Sequence, residues 1–191
     1  ALDKVFRMKD HTLSDAEERI LALASPVLGA GAETFGKLTN TDMTFDDVED
    51  SKGETHTVTE GRLSLLLESK DRTLRERSFN SIYKSYAAVR NTLATTLSTQ
   101  VKADNLNAQL RGFKDAREAA LYSTAIPVSV HETLIEQVNK ALPLHHRYVK
   151  LRKERLGLDE LQPYDLYTSL LNDDPKEYSY EEAQKIALEA L

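Results

Sequence analysis

From residue 68 to residue 111 the chain contains neither glycine nor proline, and this uninterrupted stretch constrains the fold more than any other feature. Ile82, Tyr86, Val89, Leu93, Leu97 and Val101 recur in it at steps of 4, 3, 4, 4 and 4. At that spacing side chains share one face of an α-helix. The spacing predicts a single helix of about 35 to 40 residues, against a usual length of about 11 or 12. A helix of that length acts as a spine for shorter ones. A coiled coil is the rival reading, but alanines, threonines and asparagines stand on its flanks where paired e and g charges are expected.

Shorter helices are signalled on both sides. Ser14 and Glu17 have capping-box spacing, followed by Ile20, Leu21, Leu23 and Ala24. Ser25-Pro26 reads as an N-cap with a first-turn proline and predicts a second short helix from about residue 26 toward 38. Met43-Thr44-Phe45 and Thr55-His56-Thr57-Val58 alternate like strands around the acidic stretch 46–53, which predicts a small β-hairpin at about 43–58. Pro127 precedes a Ser129/Glu132 capping box and an apolar series of Val130, Leu134, Val138 and Leu142. Pro143 allows a bend, and Leu144, Tyr148, Leu151 and Leu156 continue the stripe to a C-cap at Gly157. Residues 158–177, with Pro163, Pro175 and Asn172-Asp173-Asp174, read as a structured connector. The fold class expected is mostly α, a multi-helix array around one long spine helix with one small β-hairpin.

The chain has 191 residues, 25 Lys+Arg against 31 Asp+Glu, and a formal net charge of −6. A chain of this length can bury roughly 70% of the surface it exposes when unfolded. The acidic balance argues against nonspecific binding to nucleic acid or anionic lipid. The absence of cysteine excludes disulfides, thiol catalysis and Cys-ligated metal. No apolar run has membrane-spanning length, and ALDKVFRMKD contains no signal-peptide core. These features predict a soluble, cytoplasmic protein. The sequence begins with alanine. Its last capping box, Ser179 with Glu182, opens a stripe of Tyr180, Ala183, Ile186, Ala187, Ala190 and Leu191 with no stop signal. The expectation is a truncated piece of a larger protein.

Motifs that carry chemistry are scarce. A helical zinc-protease motif needs H-E-x-x-H, so that two imidazoles one turn apart grip the metal. His131-Glu132 begins that pattern, but Ile135 stands where the second His is needed, and Glu132 reads instead as a capping-box partner. His145 and His146 are adjacent and about 100° apart on a helix, so they cannot share one metal unaided. No Glu lies three residues before a His, which excludes a di-iron bundle pattern. The cluster Arg147 with KLRKER at 150–155 is either a phosphate or RNA patch, or cations gathered at a helix C-terminus. Asp46, Asp47, Glu49 and Asp50 lack calcium-loop spacing and read as a solvated hairpin tip. No catalytic, cofactor-binding or metal-ligating residue is assigned.

A series of segments nonetheless resembles a known family: HTLSDAEERILALASPVLGAGAETFGKLTNTDMTF at 11–45, LLLESKDRTLRERSF at 65–79, YAAVRNTLATTLSTQVKADNLNAQLRGF at 86–113 and LPLHHRYVKLRKERLGLDELQPYDLY at 142–167. In that order they resemble the leading portion of oligoendopeptidase F, of the thimet-oligopeptidase-like zinc metallopeptidases. The resemblance implies a nearly all-helical peptidase with a deep channel between two lobes, cleaving oligopeptides while excluding folded proteins. It implies an H-E-x-x-H zinc site with a later Glu ligand, at which a zinc-bound water attacks the scissile carbonyl. In the family that motif lies beyond the YDLY segment, here 164–167, and this chain contains none. The resemblance also implies a division into 1–85, a helical N-terminal domain with the hairpin, and 86–191, the leading part of the catalytic domain. The chain then forms a wall of the substrate channel, is inactive and zinc-free alone, and self-associates through apolar surface left bare. A stand-alone helical binding module derived from the peptidase is the alternative, and an RNA-binding protein using 147–155 a third.

Overall fold

The helices at the N-terminus begin where their caps place them. In the computed structural model, which describes residues 2–171 and 178–190, α1 (Leu2–Met8) runs into a 3-10 turn, Lys9–His11. The Ser14/Glu17 capping box forms and opens α2 (Asp15–Leu28). Pro26 does not start a new helix, as its position suggested; it lies in the last turn of α2. A proline there forfeits one backbone bond while its fixed φ still suits the helix. The break falls at Gly29, whose N–H closes α2 on the Ser25 carbonyl at 2.9 Å. α3 (Ala30–Lys37) follows and ends in a π-helical turn, Leu38–Asp42.

The hairpin is present, with its first strand displaced. β1 (Val48–Glu49) pairs antiparallel with β2 (Thr55–His56), Val48 opposite His56. β2 lies in the expected segment; β1 lies beyond residues 43–45, where the first strand was expected. The turn sets this register. Asp50 Oδ1 accepts the Lys52 and Glu54 backbone N–H groups at 2.8 and 2.9 Å, and Gly53 takes φ +85. Residues 44 and 46 instead give their carbonyls to Ser85 and Ser81, at 2.8 and 2.6 Å. That lays the segment along the helix behind it.

The core sits here. α4 (Glu60–Glu68), capped by Thr59, packs on α5 (Arg72–Ala88), capped by Asp71. Val58, Leu66, Leu74 and Ile82 form the buried cluster, with Phe45, Val48, Leu63 and Tyr86 against it.

The spine forms, but as two helices. α5 stops at Ala88 and α6 (Arg90–Leu110) starts after Val89, whose φ −112 and ψ 18 leave the helical region. The Val89 N–H turns back to the Tyr86 carbonyl at 3.2 Å. Packing partners change at this joint: α5 meets α4, β1 and the 163–165 turn, whereas α6 meets α2, α3 and α7 (Ala116–Tyr122). Each half follows its own partner, and the bend loses little helical bonding. At the α3–α6 contact a Cβ on Gly31 would stand 2.9 Å from the Thr96 carbonyl oxygen, so only glycine allows that approach.

α8 (Val128–Arg155) starts directly after Pro127, with no side-chain bond capping it. The expected Ser129/Glu132 box is therefore not formed: Ser129 already lies inside the helix. Pro143 leaves α8 unbroken. Its end is a Schellman closure, with Gly157 at φ +65 and the Leu158 N–H on the Lys153 carbonyl at 3.1 Å. A 3-10 turn, Pro163–Asp165, gives the connector its structure; Asn172-Asp173-Asp174 and Pro175 lie outside the described residues. α9 (Tyr180–Glu189) opens with the Ser179/Glu182 box.

The architecture is the expected helical array around a spine with one small hairpin, yet its packing is sparse. The accessible surface is 14493 Å² for 21.5 kDa. A close-packed monomer of that mass exposes about 9,200 Å². The burial expected from length alone is not reached, because α8 and α9 project with most of their side chains in water.

Candidate functional site

The most highly organised polar site joins α5, α8 and the 163–165 turn. Asp71 caps α5 by accepting the Thr73 N–H at 2.9 Å, which fixes Arg72 and Arg75 one turn apart on the same face. Both reach Asp165, some 90 residues later. Arg75 Nη2 donates to Oδ1 at 2.7 Å, Arg72 Nε to Oδ1 at 3.1 Å, and Arg72 Nη2 to Oδ2 at 3.0 Å. The Gln162 N–H closes the turn on Oδ2 at 3.0 Å. Arg152, from the last turns of α8, donates to the carbonyls of Asp165 and Thr168 at 3.1 and 2.6 Å. Arg72 also lies over the Tyr164 ring, 5.3 Å from its centroid.

Asp165 is fully buried, and Arg75, Arg152 and Thr168 are buried with it. Burial pushes the Asp165 carboxyl up, but the hydrogen bonds from Arg72, Arg75 and the Gln162 N–H outweigh it and hold the carboxyl below its ordinary value. An ionised carboxylate saturated by guanidinium donors neither gives nor takes a proton near neutral pH. The arrangement is a clamp: it fixes residues 162–168 against two helices and leaves Leu166 and Tyr167 exposed.

The structure disperses the sequence-flagged residues. His11 Nδ1 lies 2.8 Å from the Arg111 carbonyl, and its ring stacks on Phe113 and meets the edge of Tyr122. Arg111 in turn pairs with Glu18 at 2.7 Å, so this histidine ties the N-terminal segment to α6 and α7. Glu132 pairs with Arg117 at 3.4 Å, in place of the capping role read from its spacing. His145 and His146 are exposed on α8.

The basic run does not form one patch. Arg152 is buried in the clamp, while Arg147, Lys150 and Arg155 are exposed. At the hairpin, Asp50, Glu54 and His56 present ligand-type atoms within 4.8 Å of one another. Asp50 is no solvated tip: two N–H groups of the turn occupy its Oδ1, and His56 Nε2 stands 3.4 Å from Oδ2. Sequence reasoning missed the Asp165 clamp. Its local halves were visible, as an Asp-capped helix start with R-x-x-R and as a Pro-containing turn, but no spacing rule connects them.

With this geometry in hand, the likeness to known proteins is specific. The sequence model of Peptidase family M3 matches residues 65–189, which include every side chain of the clamp, and that of Oligopeptidase F matches residues 1–45. Oligopeptidase PepF of Bacillus subtilis is 44% identical over 191 residues, covering 100% of this chain and 28% of that protein. Group B oligopeptidase PepB of Streptococcus agalactiae is 45% identical over 189 residues, covering 99% of this chain and 31% of that protein. The crystal structure of oligoendopeptidase-F from Enterococcus faecium superposes with a TM-score of 0.86 at 42% identity, over 90% of this chain and 34% of that one.

The helical array that carries the clamp is thus a scaffold shared with a solved oligoendopeptidase-F. The chain belongs to Peptidase family M3. It spans about three-tenths of the length of the curated relatives it matches. No helix among the described residues is long and apolar enough to cross a membrane.

Proposed function

We propose that this chain is the N-terminal portion of a zinc-dependent oligoendopeptidase that hydrolyses internal bonds of short peptides in the cytoplasm. It builds part of the substrate-channel wall and is inactive by itself. The observation that carries the reading is the end-to-end match: 100% of this chain aligns with 28% of a curated oligopeptidase at 44% identity. In this reading residues 1–85 are the N-terminal helical domain and residues 86–191 lead into the catalytic domain, with α5 crossing the division.

The residues present do not fit a zinc centre of the H-E-x-x-H kind. His131-Glu132 is followed by Ile135, and Glu132 is already paired with Arg117. The zinc and the groups that activate water belong to the parent beyond residue 191. This chain's contribution is positional: the Asp165 clamp holds the lead into the catalytic domain rigid.

The test is to read the parent gene past the codon for Leu191 and assay both proteins with an internally quenched peptide. An open frame reaching H-E-x-x-H and a later Glu is expected. The full protein should then contain about one zinc and cleave the peptide, while the 191-residue chain does neither. A stop codon directly after Leu191 would overturn the reading in favour of a helical binding module derived from the peptidase.

A further inference from the structure

The register of the hairpin puts two carboxylates and an imidazole on one face. Val48 stands opposite His56, so Asp50, two residues along, stands opposite Glu54, and alternation keeps all of them on the same side. The Asp50 N–H holds the Glu54 carbonyl at 2.9 Å and fixes that pairing. Among the described residues, Asp50, Glu54 and His56 are the one trio of histidine and carboxylate side chains whose ligand-type atoms all lie within 4.8 Å of one another.

Hydrogen bonding does not account for the trio. A carboxylate and an imidazole that pair well do so at about 2.7–2.9 Å, whereas Asp50 Oδ2 and His56 Nε2 stand 3.4 Å apart. That separation suits two donors on a single tetrahedral ion, since bonds of about 2.0–2.1 Å set neighbouring ligands about 3.3–3.4 Å apart. Asp50 is also oriented as a ligand. The Lys52 and Glu54 N–H groups occupy its Oδ1 at 2.8 and 2.9 Å and leave Oδ2 as one aimed donor, the kind of support that bound carboxylates receive. Outside the trio, the residues on either side of Asp50 are tied to α5. The Glu49 carbonyl accepts from Arg77 Nη1 at 2.8 Å, and the Ser51 N–H donates to Asp71 Oδ2 at 2.7 Å. Asp50 and His56 are therefore in place before an ion arrives, and the exposed Glu54 is free to swing in.

The donor set selects the ion. Two carboxylates and a neutral imidazole balance a divalent cation, and the imidazole suits Zn2+. Ca2+ takes about six to eight oxygens, which this face does not supply. We propose that Asp50 Oδ2, the Glu54 carboxylate and His56 Nε2 form a Zn2+ site that clips the two strands of the hairpin together, with water completing the shell. Three protein ligands, one of them exposed, hold the ion exchangeably. A chain dialysed against chelator is thus zinc-free and takes up the ion on titration. The proposal rests on the hairpin alone and is independent of the peptidase reading.

Calorimetric titration of the chelator-treated 191-residue chain with Zn2+, beside proton–nitrogen spectra of the imidazoles, tests it. About one ion per chain is expected, with the His56 signals moving to the Nδ1–H tautomer as Nε2 takes the metal. His56→Ala should weaken binding by about a hundredfold or more, exceeding the usual loss of a merely supporting partner. Glu54→Gln should weaken it by about tenfold or more, and its exposed position spares the fold if His56→Ala disturbs the hairpin. H145A/H146A removes the exposed pair on α8 and should leave the affinity unchanged, and Ca2+ should give no heat. No Zn2+ uptake, uptake indifferent to both hairpin variants, uptake abolished by H145A/H146A, or preferential filling by Ca2+ would each overturn the proposal.

Discussion

Arg75 donates to Asp165 across 2.7 Å with both side chains withdrawn from water, the carboxylate completely so. The pair links the first turn of α5 to a turn that the chain reaches 90 residues later. Removing one member leaves a buried charge without its partner, a change that costs about 3–5 kcal/mol. Asp165→Ala and Arg75→Met should therefore lower stability by that order. Arg72→Met should cost less, because the Arg72 side chain is 40% exposed. Urea unfolding followed by circular dichroism checks the ranking, and an Asp165→Ala chain as stable as the parent would remove the clamp from the account.

Acid should weaken the same region, and the sign follows from the direction of the shifts. Hydrogen bonds from Ser51, side chain and backbone, lower the Asp71 carboxyl from 3.8 to about 2, and Asp165 is lowered as well. A group whose folded pKa lies below its unfolded value adds stability that is complete above the unfolded value. That stability disappears as pH falls through the folded value. The unfolding free energy should thus decline between about pH 4 and pH 2. Asp71→Asn should be less stable at neutral pH and show a shallower decline. A parallel decline in parent and variant would refute the assignment to Asp71.

Gly31→Ala tests the α3–α6 joint. The added Cβ would meet the Thr96 carbonyl oxygen at 2.9 Å and the Thr99 Cβ at 3.1 Å, and backbone cannot yield as a flexible side chain does. Overpacking of this kind costs about 1–3 kcal/mol, against a gain of a few tenths to about 1 kcal/mol from the stiffer unfolded chain and better helix propensity. Net destabilisation is expected in thermal unfolding. Gly61→Ala, with nothing within 4 Å, should be neutral or slightly stabilising.

These sites also mark where sequence was legible. Ser14, Ser179 and Gly157 act within one helical turn of themselves, and the chemistry of caps identified each from local spacing. The mostly helical class and the hairpin's second strand followed from periodicity for the same reason. Val89 shows the limit. It continues the helical stripe, and the bend there arises because α5 and α6 pack on different partners, a fact no window around residue 89 contains. Pro26 and Ser129 misled because a favourable cap residue is only permitted to cap; the helix boundary is set by what the neighbouring turns pack against. The Asp165 clamp is non-local altogether, since the pairing of residues 75 and 165 exists only once three elements meet.

The basic run at the end of α8 offers the last test, because one guanidinium in it has a different task from its neighbours. Arg152 is 6% exposed and satisfies the carbonyls of residues 165 and 168, so Arg152→Ala strands those acceptors and opens space beside Tyr148. A loss of about 2–4 kcal/mol is expected, the range for a buried charged hydrogen-bond donor and its packing. Arg147→Ala and Lys150→Ala remove solvated cations, one of them 4.0 Å from Glu154, and should shift stability by no more than about 0.5 kcal/mol. If the run were an RNA-binding stripe, the two exposed substitutions would instead abolish salt-sensitive binding to single-stranded RNA. Filter binding at low and moderate salt, run beside the unfolding curves, separates the two roles. The structure predicts effects in the unfolding curves alone, confined to Arg152.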